Sequence, residues 1–503
     1  MAQPITHPVA VLAKVEDPAL QARKSYDAGK EYGADVKVRD ADVESADPKG
    51  EQTGLDYSGF KGKTDPAEIK LVRKMDIYIM LSLWSMYWLN YLDRNAIALA
   101  KLSSIEADLG LSDTQYQTAV SILFVGYVIC GVPSNMIITK VRPAPFLVGI
   151  MMLWAVISIC TAFSGSFGGL VATRFCLGVV EAPYYPGALY ILSSFYTRTE
   201  VGTRIAILYT GNILATSFAG LIAAGIFELD GVLGYAGWQW LFIIQGSVTG
   251  LVALLAYPFL PNTPGTTRWL SHEEREMAVN RLLRDQVDMD VQQGSAMAGL
   301  KQAVRDPRVW LFCLMQNLHL SANGFKNFFP SVVNTLGFSR LITLVLTCPP
   351  YLIAGVVSVL VSLSSGRFNE RTYHILICKL VATVGFVTAA AASPSQTAGR
   401  YVAMCIFTIG TYGVNSIVLG WASTVCSQSK EKKAVTIAMM TSWSNASFIY
   451  TPYLFRNADK PRYALAMGAM GVFSLLCAAT AFWMKWILVR QNRTLEATTK
   501  YPY

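Results

Sequence analysis

The most informative segment of the sequence is Arg174-Phe-Cys-Leu-Gly178-Val-Val-Glu181-Ala-Pro183-Tyr-Tyr-Pro186-Gly187. It lies in a long apolar segment, 167–196, which at ~1.5 Å rise per residue is long enough to cross a bilayer. Arg174 and Glu181 share one helix face, although charges at membrane depth are costly. Pro183 and Pro186, just after this pair, predict a break in the helix. The pattern indicates a helix that lines a solute path; a buried pair that only joins helices is the alternative.

The composition predicts a polytopic membrane protein. Of 503 residues, 53% are hydrophobic and 15% are charged, whereas soluble domains carry about 25% charged residues. Basic loops explain the formal net charge of +9, so we expect no nucleic-acid partner. None of the nine cysteines forms a CxxC pair, which argues against a metal site or a disulfide framework. We expect contact with a lipid bilayer, no cofactor and no metal.

Twelve apolar segments divide the chain. They lie at about 75–97, 117–139, 144–164, 167–196, 204–227, 238–260, 308–330, 341–364, 373–392, 400–424, 434–455 and 463–489. The longest polar interruption, 261–306, separates six segments from six. We therefore predict an all-α polytopic membrane protein with twelve transmembrane helices in two six-helix bundles, 71–260 and 307–490. The interruption is then a cytosolic linker, and the ends are a disordered cytosolic tail, 1–70, and a second cytosolic tail, 491–503.

Two short patterns support this division. Leu109-Gly-Leu-Ser112 follows the first segment and Leu336-Gly-Phe-Ser339 follows the seventh, so the two halves resemble repeats. In the linker, Ser271 is placed as the N-cap of an amphipathic helix with Glu273 and Glu274 in its first turn. Lysine and arginine are concentrated in the loops of one side, which predicts that both termini are cytosolic.

Polar side chains interrupt several other segments. The first contains Asp93 and Arg94, which point about 100° apart on a helix and so serve different neighbours. A pair between helices is an equally good interpretation of these two charges. The tenth segment contains Asn415 and the eleventh contains Asn445; both fit hydrogen bonds between helices as well as a solute site.

The seventh segment carries a polar stripe. Gln316, His319, Asn323, Lys326 and Asn327 follow one another at spacings of one, three and four residues, which places most of them on one helix face. We interpret this face as a cavity lining. A lone histidine is more often a satisfied core residue, and a lysine near a helix end can extend to the membrane interface.

Together these residues resemble the anion:cation symporter family of the major facilitator superfamily, and within it the fungal allantoate permease group. The resemblance covers about 75–490. Its main motifs are Tyr91-Leu-Asp-Arg94-Asn, Arg174-x-x-Leu-Gly-x-x-Glu181-Ala-x-x-x-Pro-Gly187, Trp238-x-x-Leu-Phe-Ile-Ile-x-Gly246 and Leu336-Gly-Phe-Ser339. Two features depart from the family: Lys326 replaces a residue that is usually uncharged, and 135–142 lacks most of the superfamily's conserved loop pattern.

The resemblance implies proton-coupled uptake of a small organic anion or vitamin-like carboxylate, of the allantoate, nicotinate and pantothenate class, across a fungal plasma membrane by alternating access. It implies that the arginine of the pair contacts the anion and that the glutamate couples protons. The expected substrate-binding residues are Arg174, Arg94, His319, Asn323, Lys326, Asn415 and Asn445, and the expected proton-coupling residues are Glu181 and Asp93. We expect no enzymatic activity and a functional monomer.

Other function classes remain open. An exporter of a fungal metabolite would use the same fold with the opposite net flux. A nutrient-sensing receptor would keep the site without transport. A membrane enzyme has the least support, since the spans contain no nucleophile–base or metal cluster. No nucleotide-binding Gly-x-x-x-x-Gly-Lys-Ser/Thr loop is present, so an ion gradient is the expected driving force.

Overall fold

The computed structural model describes residues 65–138, 141–287 and 296–493. Within these ranges the chain is helical and contains no β-strand, which confirms the all-α prediction. The predicted tails, 1–70 and 491–503, lie mostly outside the described residues, as does the middle of the predicted linker.

The first half contains the helices α1 to α9. Their bounds are α1 Pro66–Met75, α2 Leu81–Ala100, α3 Ile105–Asp108, α4 Asp113–Ile138, α5 Pro143–Ala162, α6 Phe167–Glu181, α7 Tyr184–Phe195, α8 Arg198–Ile226 and α9 Gly237–Ala256. A π-helical turn, Asp76–Met80, joins α1 to α2 without interruption. The predicted linker contributes α10 His272–Val287 and α11 Ala296–Arg305.

The second half contains the helices α12 to α21. Their bounds are α12 Pro307–Ala322, α13 Phe329–Asn334, α14 Arg340–Leu346, α15 Cys348–Arg367, α16 Thr372–Ala391, α17 Thr397–Tyr412, α18 Asn415–Val425, α19 Lys430–Asn445, α20 Ser447–Tyr450 and α21 Ala464–Asn492. A 3₁₀ turn, Gly324–Asn327, separates α12 from α13, and another, Thr451–Leu454, follows α20.

Each predicted apolar segment coincides with one helix or with consecutive helices. Eight helical segments of the described chain are long and apolar enough to cross a membrane. The four predicted segments beyond these eight are the first, second, seventh and eleventh. Helices α12 and α19, in the seventh and eleventh segments, are only 16 residues long, and the first segment carries Asp93 and Arg94, which lower its apolar content.

The two repeated tetrapeptides form the same corner. Gly110 and Gly337 have φ angles of +56° and +83°, in the left-handed region that favours glycine. Two residues later, Ser112 Oγ and Ser339 Oγ each accept a backbone hydrogen bond from the next helix, at 3.3 and 3.4 Å. The shared corner supports the interpretation of two repeated halves.

Helix α10 of the linker docks onto the first half. It begins with the predicted cap, in which Ser271 Oγ accepts a hydrogen bond from Glu274 N at 3.2 Å. The Glu274 carboxylate also pairs with Lys74 of α1 at 2.7 Å. Further along, Arg281 pairs with the carboxylate of Glu200 on α8 at 3.0 Å.

Helix α11 packs against α19 of the second half and leads into an anchor at Asp306. The Asp306 carboxylate pairs with Lys432 of α19 at 2.6 Å and with Arg308 at 2.8 Å. Burial alone would raise the pKa of Asp306, but hydrogen bonds from Arg308 and Lys432 lower it to about 2. The two linker helices are therefore attached to different halves.

Hydrogen bonds join the two halves at one end of the molecule. Gln117 Nε2 donates to the carbonyl oxygen of Phe455 at 2.8 Å, and Asn457 N donates to Asp113 Oδ2 at 2.7 Å. Loop charge predicts that this end faces outward. We call these four residues the outer seam, and they close the space between the halves on that side.

Candidate substrate site

The quoted stretch breaks where its prolines predict. Helix α6 ends at Glu181, and α7 begins at Tyr184 after Pro183. Gly178 brings α6 against α4, because a Cβ at this position would collide with the backbone carbonyl of Leu123. This close packing buries Arg174 and Glu181, each only 1% exposed, between the helices of the first half.

Glu181 forms an ion pair with Arg94 on α2. Arg94 Nε and Nη2 donate to Glu181 Oε2 at 3.0 and 2.7 Å. The pair between Arg174 and Glu181 that the sequence suggested is not formed in this structure. Seven residues of helix separate those two by about 10 Å along the axis, whereas Arg94 approaches Glu181 from a neighbouring helix.

Arg174 lies behind this pair. Its Nη2 donates to the carbonyl oxygen of Arg94 at 3.5 Å, whereas Nε and Nη1 have no hydrogen-bond partner among the described residues. Unpaired buried donors of a charged group are costly. Arg174 is therefore inaccessible to solvent in this conformation, and an anion can contact it only after the surrounding helices rearrange.

Asp93 faces a different set of neighbours from Arg94, as their spacing predicts. Its Oδ2 accepts hydrogen bonds from Trp154 Nε1 at 3.1 Å and from Thr249 Oγ1 at 3.0 Å. Its Oδ1 has no partner within the described ranges. Sequence reasoning missed Trp154 and Thr249, because they lie on two other helices, α5 and α9, with no sequence pattern linking them to Asp93.

The polar stripe of the seventh segment is interrupted. Helix α12 ends at Ala322 with Asn323 as its C-cap, and Lys326 lies in the following 3₁₀ turn. The expectation of one continuous helix is therefore wrong here. A Cβ at Gly324 would lie 2.7 Å from Thr451, so the chain passes close to the turn after α20. Helix α13 then begins at Phe329, with Pro330 in its first turn.

Lys326 points across the interface between the halves. Its Nζ lies 4.3 Å from the ring centroid of Phe448 and 6.0 Å from that of Tyr91 on α2. The side chain is half-buried, and no ion pair to an acidic residue is found for it in the part of the chain that the structure describes. Lys326 is thus a basic side chain without an acidic partner in the described chain, close to Tyr91 of the first half.

Asn415 also reaches that interface. Its Oδ1 accepts from Gln316 Nε2 at 2.8 Å, and its Nδ2 donates to the hydroxyl of Tyr209 on α8 at 3.2 Å. The structure thus brings Arg94, Glu181, Lys326 and Asn415 towards one region.

His319, Asn323 and Asn445 form their hydrogen bonds within the second half. His319 is fully buried, and its Nε2 lies 3.3 Å from Asn323 Nδ2. Asn445 Nδ2 donates to the carbonyl oxygen of Thr441, one turn back in its own helix, at 2.8 Å. In this conformation, these residues make structural hydrogen bonds, which the sequence analysis gave as the alternative to substrate binding.

Tyrosines are the group that sequence reasoning missed. The Arg94 guanidinium carbon lies 5.0 Å from the ring centroid of Tyr91 and 4.9 Å from that of Tyr127. Tyr91, Tyr127 and Tyr185 are half-buried although they lie well inside spanning helices. The spacing of Tyr91 and Arg94 by three residues was the available signal, because it places the ring and the cation on one helix face.

This arrangement defines a class of membrane carrier, in which two helical bundles enclose a polar site. The family model of the Major Facilitator Superfamily matches residues 83–452, and the chain belongs to that superfamily. It is therefore a multi-pass membrane transporter with twelve transmembrane helices in two bundles, and not an enzyme.

Curated relatives are fungal transporters of similar length. The chain is 29% identical over 437 residues to the major facilitator-type transporter hxnP of Emericella nidulans, covering 85% of this chain and 87% of the relative. It is 30% identical over 430 residues to the MFS-type transporter efuF of Hormonema carpetanum, with 84% and 86% covered.

Solved structures share the fold. A bacterial homologue of the human lysosomal transporter Spinster, in an inward-facing and occupied conformation, superposes with a TM-score of 0.66 at 17% identity and covers 85% of this chain and 99% of its own. A D-xylose-proton symporter superposes with a TM-score of 0.63 at 15% identity, covering 81% and 97%. At these identities the likeness concerns the fold alone.

Proposed function

We propose that this transporter is a member of the anion:cation symporter family, in the fungal allantoate permease group, and takes up a small organic anion together with protons. The substrate belongs to the small carboxylates, of the allantoate, nicotinate and pantothenate class. The observation that carries the proposal is Lys326, a cation without an acidic partner in the described chain, facing the Arg94–Glu181 pair. The protein acts as a monomer in the plasma membrane, with both termini cytosolic.

The charge balance of the site supports an anion. Three cations, Arg94, Arg174 and Lys326, accompany two carboxylates, Asp93 and Glu181. An excess of positive charge in a low-dielectric interior favours a bound anion. When one proton enters with one monovalent anion, the net charge of the site does not change. The loaded and the empty carrier therefore have similar electrostatic free energies.

The mechanism follows from the pair that Glu181 forms. Protonation of Glu181 removes the negative partner of Arg94 and frees the guanidinium, which can bind a carboxylate through two hydrogen bonds. Lys326 approaches the same anion from the other half. When Glu181 loses its proton on the cytosolic side, it competes for Arg94 again and helps to expel the substrate. Arg174 contributes in a conformation that exposes its unpaired donors.

Uptake by cells tests the proposal. A panel of labelled carboxylates is offered to cells expressing the protein, at external pH 5 and pH 7, and surface expression is measured in parallel. We expect accumulation of one or more carboxylates, faster at pH 5, and a roughly tenfold or greater loss in Lys326→Met. Lys301→Met, on the exposed face of α11, is the matched control and should transport normally.

Two outcomes would overturn the proposal. Normal accumulation by Lys326→Met at normal expression would remove Lys326 from the substrate site. Net efflux of a loaded carboxylate, without net uptake at either pH, would indicate an exporter.

A further inference from the structure

A cavity of about 350 Å³ lies beside the outer seam, and we call it the outer cavity. Lys101 and Glu106 of the first half line it, together with Ser331 and Lys460 of the second half. The outer cavity is next to the seam, because Lys101 Nζ lies 3.9 Å from Asp113 Oδ1. A ligand in this cavity therefore contacts both halves at once.

Two lysines approach the outer cavity from opposite halves. Lys101 Nζ pairs with Glu106 Oε1 at 3.0 Å. Lys460 is exposed and forms no ion pair among the described residues, since its neighbour Asp459 pairs with Arg456 at 3.5 Å. Burial lowers the pKa of Lys101, Glu106 opposes this effect, and the like charge of Lys460 adds to it. An anion between the two ammonium groups offsets their repulsion.

Neutral donors complete the lining. Ser331 is buried, and its Oγ has no hydrogen-bond partner in the part of the chain that the structure describes. Asn334, at the end of the same helix α13, adds a side-chain amide. Leu102 and Pro461 are the apolar residues of the lining, so an organic ligand finds little apolar surface there. A small oxyanion suits this set, because its oxygen atoms can accept from ammonium, hydroxyl and amide groups together.

A buried arginine adds positive charge behind the wall of the outer cavity. Arg400 is 2% exposed and donates to the carbonyl oxygens of Thr335 and Pro461, at 3.2 and 2.6 Å, and to Thr335 Oγ1 at 2.6 Å. These acceptors are neutral, so they leave the charge of Arg400 uncompensated. Lysine and arginine are otherwise concentrated on the opposite side of the membrane. The cations at this end therefore favour an anion in the outer cavity.

We propose that the outer cavity binds a small inorganic oxyanion, which contacts both halves and stabilises the conformation with a closed outer seam. The anion lies between Lys101 and Lys460 and accepts a hydrogen bond from Ser331. Because the two halves separate when the seam opens, the anion binds the closed conformation more tightly and shifts the equilibrium towards it. The site shares no residue with the proposed substrate site, and its ligand regulates the carrier without being transported.

Sulfate is the probe, because it is an oxyanion that stays ionised at neutral pH and is not a carboxylate. Sodium sulfate replaces sodium chloride at constant ionic strength, and the melting temperature of the purified full-length protein in lipid nanodiscs is recorded at pH 7. We expect a saturable rise in melting temperature, since a ligand that binds only the folded protein stabilises it. Lys326→Met should show the same rise, which would separate sulfate binding from the proposed substrate site.

Variants from both halves locate the bound sulfate. Lys460→Met should weaken its apparent affinity about tenfold, and Ser331→Ala about fivefold, since each loses one hydrogen bond to the anion. Glu106→Gln removes the competing carboxylate and should tighten binding severalfold, a gain that misfolding cannot produce. Lys301→Met, on the exposed face of α11, is the matched control and should bind as the wild type does. The site would be overturned if sulfate caused no saturable rise, or if Lys460→Met and Ser331→Ala bound it like the wild type.

Uptake measures the effect on closure, and this part of the test rests on the proposed function. External sulfate at constant ionic strength should slow uptake of a transported carboxylate by about twofold or more in the wild type and leave Lys460→Met unaffected. Unchanged uptake by a wild type that binds sulfate would contradict the stabilisation of the closed seam. If no carboxylate is taken up at all, the proposed function fails, while the melting temperatures still decide the oxyanion site.

Discussion

Glu181 interacts with Arg94 and Arg174, the two arginines of the proposed site. Both hydrogen bonds from Arg94 reach Oε2, and Oε1 has no partner among the residues that the structure describes. Arg174 interacts electrostatically with Glu181 and has two unpaired nitrogens. A carboxylate with a free oxygen and an arginine with free donors can form a second pair when the site rearranges. Glu181 can therefore change partner during a transport cycle.

The first prediction concerns proton coupling at Glu181. Glu181→Gln resembles the protonated side chain at every pH, so an anion can still bind but no proton is released with it. We expect exchange of labelled for unlabelled substrate to continue, and accumulation against a gradient to be lost. Counterflow and net accumulation are measured separately in the same cells.

Asp93→Asn is the comparison variant for this experiment. Asp93 bonds to Trp154 and Thr249 instead of to an arginine, so its loss should leave pH-dependent accumulation in place. The assignment would be reversed if Glu181→Gln accumulated substrate in a pH-dependent manner and Asp93→Asn did not. Loss of both exchange and accumulation in Glu181→Gln, at normal expression, would indicate a role in folding or binding.

Helix packing in the first half depends on the close approach of α4 and α6 at Gly178. A Cβ there would meet the backbone of Leu123, which cannot move as a flexible side chain can. We expect Gly178→Ala to lower the melting temperature and the yield of purified protein. Gly149→Ala on α5 is the matched control, because open space surrounds that position and alanine favours a helix by ~1 kcal/mol over glycine. Equal melting temperatures for the two variants would contradict the close packing of α4 on α6.

The anchor of α11 predicts a pH-dependent contribution to stability. The pKa of Asp306 is about 2, below its ordinary value of 3.8, so its ionised form stabilises the fold. This contribution is present above about pH 4 and is lost as pH falls towards 2. We expect Asp306→Asn to cost about 1–2 kcal/mol at pH 7 and less at pH 3.

Thermal unfolding in detergent at pH 7, 4 and 3 measures the difference between Asp306→Asn and the wild type. Glu276→Gln, on the exposed face of α10, should match the wild type at each pH. A difference that is the same at pH 7 and pH 3 would show that the charge of Asp306 plays no part.

Local signals account for what the sequence predicted at this scale. The break at Pro183 and the cap at Ser271 depend on residues within one turn, so they could be predicted. The end of α12 could not, because Gly324 approaches Thr451 from a distant part of the chain. The Arg94–Glu181 pair joins residues 87 positions apart, and no spacing rule relates them. Apart from the three-residue spacing of Tyr91 and Arg94, tyrosines gave no distinct signal, since they are common in membrane helices for other reasons.

At the scale of the whole molecule, the two halves contact each other through hydrogen bonds at the outer seam and through close packing of α8 against α14 and α15, where a Cβ at Gly220 would meet Thr347 and Leu344. Gln117 and Asp113 of the outer seam bond directly to backbone groups of the second half. At the site, the ring centroid of Tyr91 lies 5.0 Å from the guanidinium carbon of Arg94 and 6.0 Å from Lys326 Nζ of the other half. In the proposed alternating-access cycle the seam must open, and hydrogen bonds of this kind contribute only about 1 kcal/mol each, so they can be broken.

The attachment of α10 and α11 to different halves has a consequence for how the chain can be assembled. Helix α10 is held by Lys74 and Glu200 of the first half, whereas the end of α11 is held by Lys432 of the second. A gene divided between these helices should therefore yield two polypeptides, 1–295 and 296–503, each with its own docked helix. Co-expressed, they should copurify and restore uptake by complementation, while neither fragment alone transports. Failure to copurify would show that the covalent connection is required for the halves to find each other.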